Sequence, residues 1–453
     1  MAPAERPNVV VILTDDQGYG DLSCMGATDF RTPNLDRLAA SGVRFTDWYS
    51  NSPVCSPSRA SLLTGRYPGN AGVRAILDGH RTASGLLPEV FTIATVLKPL
   101  GYRCYMSGKW HLGLARGCRP QDHGFDHWFG FMAGCVDYYS HIFYWGLPTG
   151  TNPIHDLWDD DHEVWLNGQY LTEVITSRAI DYIRHARSEA TPFFLYVAYN
   201  APHYPMHAPD RYMARFAHLP WDRQVMAAMI SAVDDGVGDI LDELDRQRIT
   251  DSTLVFFTSD NGPSREARNW LDGTVDPYYG GTSGVFKGHK FSLFEGGLRE
   301  PTLMSWPARI PAGQVVREPL AAMDLLPTLL AAAGGDPTDY ELDGCDVLPC
   351  VTAGAPSPHA RIFWEMDAQT AVRQGNWKLV LNGVLVEGAA PADAVHLADL
   401  ANDPGERHNL ADRYPEVTAE LTAAAEAWRA GIEARWAAYW LPRLQGTTTH
   451  AGR

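Results

Sequence analysis

Two apolar runs in this sequence end on oxygen-rich residues, and a third motif sets a lone thiol where a helix should begin. Val9-Val-Val-Ile-Leu-Thr14 reads as a strand buried on both faces, and it runs straight into Asp15-Asp16. Thr253-Leu-Val-Phe-Phe-Thr258 does the same and leads through Ser259 to Asp260-Asn261-Gly262. Ligands of open α/β sheets gather at the carboxyl ends of strands. An isolated Asp pair is ordinarily a solvated loop. Three carboxylates and an amide at two strand ends instead suit a hard divalent cation with oxygen ligands, Ca²⁺ or Mg²⁺ rather than zinc. In Val54-Cys55-Ser56-Pro57-Ser58-Arg59, Ser56 can cap a helix that has Pro57 in its first turn and ends at Gly65. Cys55 then stands at a helix N-terminus, where unpaired amides and the dipole favour an anion and would depress a thiol pKa. Taken singly, such a cysteine is more often structural, and Lys109, His111, His203 and Lys290 would each read as surface or loop residues.

The longer strings add a resemblance. Cys55-Ser-Pro-Ser-Arg59 followed by Leu63-Thr64-Gly65-Arg66 resembles the signature of the type I sulfatases, in which Cys-x-Pro-x-Arg directs oxidation of the cysteine to formylglycine. The likeness extends through Thr14-Asp-Asp-Gln-Gly-Tyr-Gly20, Gly108-Lys-Trp-His-Leu-Gly113, Ala201-Pro-His203 and Ser259-Asp-Asn-Gly262. It continues in Lys290-Phe-Ser-Leu-Phe-Glu-Gly-Gly-Leu-Arg299 and reaches Leu400-Ala-Asn-Asp-Pro-Gly-Glu-Arg407. It implies a metal held by Asp15, Asp16, Asp260 and Asn261, with the modified Cys55 completing the shell. Ca²⁺ is the expected ion, with Mg²⁺ or Mn²⁺ as alternatives. It further implies that Arg59 holds the modified side chain, that Lys109 and His111 serve the aldehyde hydrate and the sulfate, and that His203 and Lys290 contact the sulfate and its leaving oxygen. One departure is Lys287-Gly-His289-Lys290, where the family more often has Gly-Gly before the lysine; His289 adds a titratable group with an open role.

The implied chemistry is coherent. A cation and two lysines would stabilise the charge on a sulfate's oxygens, and an aldehyde hydrate would offer one hydroxyl as nucleophile and a second to expel sulfate afterwards. Partners follow: a small sulfate-ester substrate and a formylglycine-generating enzyme that modifies Cys55. A phosphonate monoester or phosphodiester hydrolase using the same modified cysteine is the alternative, and a silent binding protein that keeps the pocket is a third reading.

Such a constellation needs a scaffold. Phe193-Phe-Leu-Tyr-Val-Ala-Tyr199 is a further buried run, and helical spacing links the runs at Leu171, Val174, Ile175, Ala179 and Ile183 and again from Val225 to Leu244. A short helix is expected from Thr32-Pro33 to Gly42, with Thr32 as its cap. Alternating strands and helices imply an α/β fold. The resemblance sharpens this to a large, mostly parallel sheet sandwiched by helices, alkaline phosphatase-like, over residues 1–345. Residues 346–453 read as a smaller α+β unit, with antiparallel strands at Arg361-Ile-Phe-Trp-Glu, Thr370-Ala-Val-Arg and Trp377-Lys-Leu-Val-Leu and a helix from Pro415 to about Trp440.

Composition bounds the partners. With 37 Lys+Arg against 54 Asp+Glu the chain carries −17, which argues against nucleic acid as partner. No apolar run approaches the roughly 20 residues of a membrane span. The beginning, Met1-Ala-Pro-Ala-Glu-Arg-Pro, lacks a secretory pattern, so the chain as written reads as cytoplasmic, or as periplasmic or secreted if a leader was removed. The seven cysteines contain no C-x-x-C pair and suggest neither a disulfide framework nor a zinc cluster. The stretch 126–170 reads as an excursion over the sheet edge, rich in aromatics from Trp128 to Trp165 and in acids at Asp156, Asp159, Asp160, Asp161 and Glu163. Its rings could stack on a small ring-bearing sulfate, while its acids would repel a polyanion.

Overall fold

The computed structural model of the chain describes residues 6–144, 153–266, 275 and 277–448; Trp145, one of the excursion's aromatics, lies outside them. Ten strands make the main sheet: β1 Asn8–Thr14, β2 Val43–Phe45, β3 Arg103–Lys109, β4 His127–Phe131, β5 Trp158–Asp159, β6 His162–Glu163, β7 Phe193–Ala198, β8 Thr253–Ser259, β9 Thr302–Ser305 and β10 Gln314–Val316. Their spatial order is β10-β2-β9-β8-β1-β7-β3-β4-β5-β6. The central run β8-β1-β7-β3-β4 is parallel throughout. β1 can sit at the centre because every second residue finds its own apolar layer. Val9, Val11 and Leu13 enter one core with Leu62 and Leu63 of helix α2 (Cys55–Thr64). Val10 and Ile12 enter the other, with Ile175 of α3 (Leu171–Glu189) and Val233 of α4 (Trp221–Arg246).

Register fixes the site. Thr14 of β1 lies opposite Ser259 of β8, so Asp15-Asp16 and Asp260-Asn261 emerge side by side from neighbouring parallel strands. The short helix α1 (Pro33–Ala40) forms as expected, but Thr32 does not cap it. The Thr32 hydroxyl accepts from the Ser23 amide, and Asp234 of α4 instead accepts the free amides of Asn34 and Leu35 at 3.1 and 2.8 Å. A carboxylate from a distant helix replaces the local hydroxyl.

The excursion is partly sheet. It opens as β4, parallel to β3, and closes as the hairpin β5–β6 at the sheet edge. Trp128, Phe129, Phe131, Tyr138 and Phe143 are buried in the two cores. Its acids are engaged locally: Asp156 is buried and accepts the amides of Met132 and Ala133, Asp160 accepts that of Trp128, and Asp159 and Glu163 pair with Arg178 and Arg81.

The C-terminal sheet is antiparallel, with β11 Ile362–Met366, β12 Gln369–Gln374, β13 Trp377–Gly383 and β14 Asp393–Asp399 in sequence order, packed by helix α5 (Pro415–Arg435). It is bound to the main body by buried charge. Lys378 of β13, fully buried, lies 2.8 Å from Glu295 and 3.5 Å from Glu406, while Glu295 also takes Arg299 at 3.0 Å. Removing the one ammonium shared by two buried carboxylates should cost about 3 to 5 kcal/mol, so Lys378→Met should unfold at markedly lower denaturant than wild type.

The same cluster predicts a pH signature. Glu406 is pushed up to about 7 by burial, against the pull of Lys378 and with Glu295 adding, from an ordinary 4.5. Between those two values the folded chain holds a proton that the unfolded chain lacks, so this group's contribution declines as pH rises through that window. Glu406→Gln keeps an acceptor for the Glu295 amide but does not titrate. Its unfolding free energy relative to wild type should therefore rise between about pH 5 and 7.5; a pH-independent difference would refute the assignment.

Candidate active site

The carboxyl ends of β1 and β8 and the first turn of α2 converge on one buried pocket. Cys55 Sγ lies 3.5 Å from Asp15 Oδ1, and Lys109, at the end of β3, sets its Nζ 2.5 Å from Asp15 Oδ2. Asp16 gathers the other side: it accepts from Asn261 Nδ2 at 2.7 Å and from Lys290 Nζ at 2.9 Å, and His203 Nε2 is 3.6 Å away. Arg59, one turn into α2, reaches Asp260 Oδ2 at 2.8 Å and Asp15 Oδ2 at 3.7 Å and donates to the Lys109 carbonyl. All of these side chains are buried. Asp16 and His111 both take positive φ, 63° and 53°, a strained backbone for non-glycine residues that tends to persist where the surroundings impose it.

Electrostatics follow from burial and crowding. Asp15 is held well below the carboxylate range: burial resists its charge, but Lys109, His203, Arg59 and Lys290 outweigh it. Asp260 goes the other way, pushed up to about 7 by burial and by Asp15. Burial opposes the Lys290 ammonium too, yet Asp16, Cys55 and Asp15 hold it well above its ordinary value. The Cys55 thiol is pushed up to about 12, chiefly by burial, against the pull of Lys109 and Lys290. This reverses the expectation of a depressed thiol at a helix N-terminus: with the residue 2% exposed, desolvation exceeds what the dipole and two ammonium groups return. Nor does Ser56 cap the helix. Val54 holds that position, and the Ser56 hydroxyl accepts the Leu77 amide.

The two histidines are held in defined tautomers. His203 Nδ1 sits 2.5 Å from the Tyr204 carbonyl, which can only accept, so that nitrogen carries a proton and Nε2, 3.6 Å from Asp16, is the nitrogen left to gain or lose one. His111 Nε2 donates to the Leu77 carbonyl at 3.2 Å, and its buried Nδ1 has no hydrogen-bond partner. Burial, Lys109 and Arg59 lower the His111 pKa well below the ordinary value, so the ring is neutral with a free lone pair.

The donor set fits a divalent cation. Asp15, Asp16, Cys55 and His203 bring ligand atoms within 4.8 Å of one another. Asn261 Oδ1 is buried with no hydrogen-bond partner, an oxygen lacking only an electrophile. The sequence motifs imply His203 at the sulfate rather than among the ligand atoms, whereas the Asp260 carboxylate, implied as a ligand, is engaged by Arg59. His289 stays apart, taking Arg265 Nε at 2.6 Å. Two residues escape a reading of the sequence. Glu300 is buried with both oxygens unpartnered and is held well above the carboxylate range by burial, Asp260 and Asp16; Gln17, beside Asp16, buries an amide with no partner. Nothing local in Arg299-Glu300-Pro301 signals such burial, while Gln17 stands inside the Thr14–Gly20 motif with no role that its type alone would suggest.

Known proteins share this architecture. The Sulfatase family model matches residues 7–335, and one described as N-sulphoglucosamine sulphohydrolase, C-terminal, matches residues 281–430. N-acetylgalactosamine-6-sulfatase of Canis lupus familiaris is 35% identical over 397 residues, covering 83% of this chain and 71% of that protein. Arylsulfatase A of Homo sapiens is 34% identical over 467 residues, covering 94% and 87%. Among solved structures, Ps i-CgsB in complex with k-i-k-neocarrahexaose superposes with a TM-score of 0.82 at 32% identity, covering 94% of this chain and 93% of that one. The phosphonate monoester hydrolase of Agrobacterium radiobacter, at 22% identity and a TM-score of 0.65, shares the fold alone. The chain belongs to the sulfatase family. It is a sulfuric ester hydrolase. Among the described residues no helix is long and apolar enough to cross a membrane.

Proposed function

We propose that this chain hydrolyses sulfate monoesters of sugars or aryl alcohols through a formylglycine made from Cys55 by a separate modifying enzyme. The observation that carries the reading is the junction at Asp15: one buried carboxylate lies within 3.5 Å of the Cys55 side chain and 2.5 Å of the Lys109 ammonium. A thiol pushed up to about 12 is protonated and a poor nucleophile at neutral pH, so the unmodified residue is ill suited to the task. Asp15, Asp16, Asp260 and Asn261, with residue 55, would hold the cation, Ca²⁺ by the oxygen-rich donor set. Bound there, it supplies positive charge to an anionic ester.

The chain's own groups do the rest. Lys109 and Lys290 neutralise the non-bridging oxygens of the sulfate, and Arg59 orients the hydrated side chain of residue 55. One hydroxyl of that hydrate gives its proton to Asp260, whose carboxyl is pushed up to about 7, and forms the new S–O bond as the bond from sulfur to the alcohol oxygen breaks. His203 or Lys290 protonates the departing oxygen. His111 Nδ1, neutral and without a partner, then takes the proton of the remaining hydroxyl, sulfate leaves, and the aldehyde returns.

The competing phosphonate or phosphodiester reading differs in the reacting centre. Released sulfate and phosphonate, measured with nitrophenyl sulfate and a nitrophenyl phenylphosphonate ester, should give the larger kcat/KM for the sulfate. The reverse order would move the assignment to the phosphonate class.

A further inference from the structure

Beside the Cys55 pocket, separated from it by one backbone segment, lies a second cleft, of about 1270 Å³. Leu77 forms the partition: it lines the cleft, while its amide is bonded to Ser56 and its carbonyl to His111. The cleft is assembled from residues 72–88 and 115–119 and from Trp436, Arg443 and Leu444, which follow α5. Its volume exceeds the roughly 300 to 1,000 Å³ usual for a small-molecule site, which is more space than a simple aryl or monosaccharide leaving group fills.

The charge of the lining is opposite to that of the molecule. In a chain of net charge −17, five arginines (Arg74, Arg81, Arg116, Arg119 and Arg443) line this cleft against a single acid, Asp78, among the described residues. They are not equally committed. Arg74 is spent on bidentate pairs with Glu365 and Glu433, and Arg81 is engaged by Glu163. Arg119 and Arg443 stand 3.8 Å from Asp161 and Glu89, beyond hydrogen-bond distance; Arg119 gives its Nε–H to the Leu114 carbonyl, Arg443 gives one terminal N–H to the Tyr439 carbonyl, and Arg116 is exposed with no ion pair among the described residues. Arg116 is thus open, Arg119 and Arg443 keep N–H groups that no carboxylate takes up within hydrogen-bond distance, and a planar guanidinium matches the geometry of a sulfate or carboxylate.

We propose that this cleft is a leaving-group subsite that takes a second anionic substituent, a sulfate or a sugar carboxylate, of an oligosaccharide whose reacting sulfate ester occupies the Cys55 pocket. The inference rests on the sulfatase reading above and narrows its substrate class. It departs from the expectation that the net charge and the acids of the excursion turn polyanions away. Those acids are tied to amides and arginines, and the remaining charge acts over distances that salt screens within about 8 Å, whereas the cleft arginines act in contact.

The test is a ratio. For wild type and the Arg116→Ala/Arg443→Ala protein, kcat/KM is measured with a disulfated oligosaccharide and with nitrophenyl sulfate, so that any loss of folded or modified enzyme cancels. The ratio of oligosaccharide to aryl sulfate should fall about tenfold or more with the loss of two charge-assisted contacts; an unchanged ratio would overturn the proposal. Calorimetric titration of the full chain with the same oligosaccharide reads binding without turnover. About tenfold weaker binding in the variant, and weaker binding of wild type as salt rises, would support the subsite, and equal affinity would overturn it. Absence of sulfate release by wild type from both substrates would count against the catalytic reading alone and leave the calorimetric comparison to decide the subsite.

Discussion

Cys55→Ser should lower steady-state sulfate release by about four orders of magnitude or more, the scale on which removal of a catalytic nucleophile acts. The reason lies in atom counting rather than in nucleophilicity. Serine offers a single hydroxyl in the same buried place beside Asp15 and Lys109. It can attack sulfur once, but the resulting ester has no second hydroxyl from which a base could draw a proton to expel sulfate. The variant should therefore release one equivalent of alcohol and then stop, with the sulfate retained on residue 55. Mass analysis of the tryptic peptide 45–59 reads both ends of the argument. In active wild type the peptide should have lost H₂S and gained one oxygen, as aldehyde or its hydrate; in the serine variant it should carry added SO₃ after exposure to substrate. Full activity with an unmodified thiol would sink the reading.

The grouping of the candidate site residues was legible because they sit where strands stop. β1 and β8 are apolar on both faces, which marks them as central strands, and the parallel order of such strands brings their carboxyl ends together. Asp15, Asp16, Asp260 and Asn261 could thus be grouped although 244 residues separate the two halves. Energetic balances were not legible. The direction of the Cys55 pKa depends on whether the helix N-terminus opens to water or is closed over, and no local pattern reports closure. Arg59 has its partner Asp260 at a separation of 201 residues, and Lys378 its partner Glu295 at 83. The edge strands β5 and β6, two residues each, are too short to carry a period, and β14, Asp-Ala-Val-His-Leu-Ala-Asp, hides its alternation among polar residues. The cleft arginines come from three separate segments, so their sum appears only once the chain has folded.

Asp16→Asn should abolish both cation binding and turnover while leaving the chain folded. In the structure Asp16 is the meeting point of Asn261, Lys290 and His203, and its substitution by the isosteric amide keeps an oxygen for Asn261 while removing the charge. The effect on affinity should be large, because a hard cation is bound by the number and charge of its oxygen ligands, and one of three carboxylates is lost. A ligand that binds only the native state stabilises it by mass action, about 2.7 kcal/mol at one hundred times its dissociation constant. Wild type freed of metal should therefore melt higher as Ca²⁺ is added, and the variant should not. Mg²⁺ would be favoured over Ca²⁺ if it raised the melting temperature at lower concentration and gave ligand distances near 2.0 to 2.1 Å rather than about 2.3 to 2.6 Å. The variant also separates the two roles of the aspartate. If Asp16 served only as a counter-charge for Lys290, the metal response would survive in Asp16→Asn and activity would fall alone. Loss of both together, in a protein whose circular dichroism matches wild type, places the carboxylate on the cation.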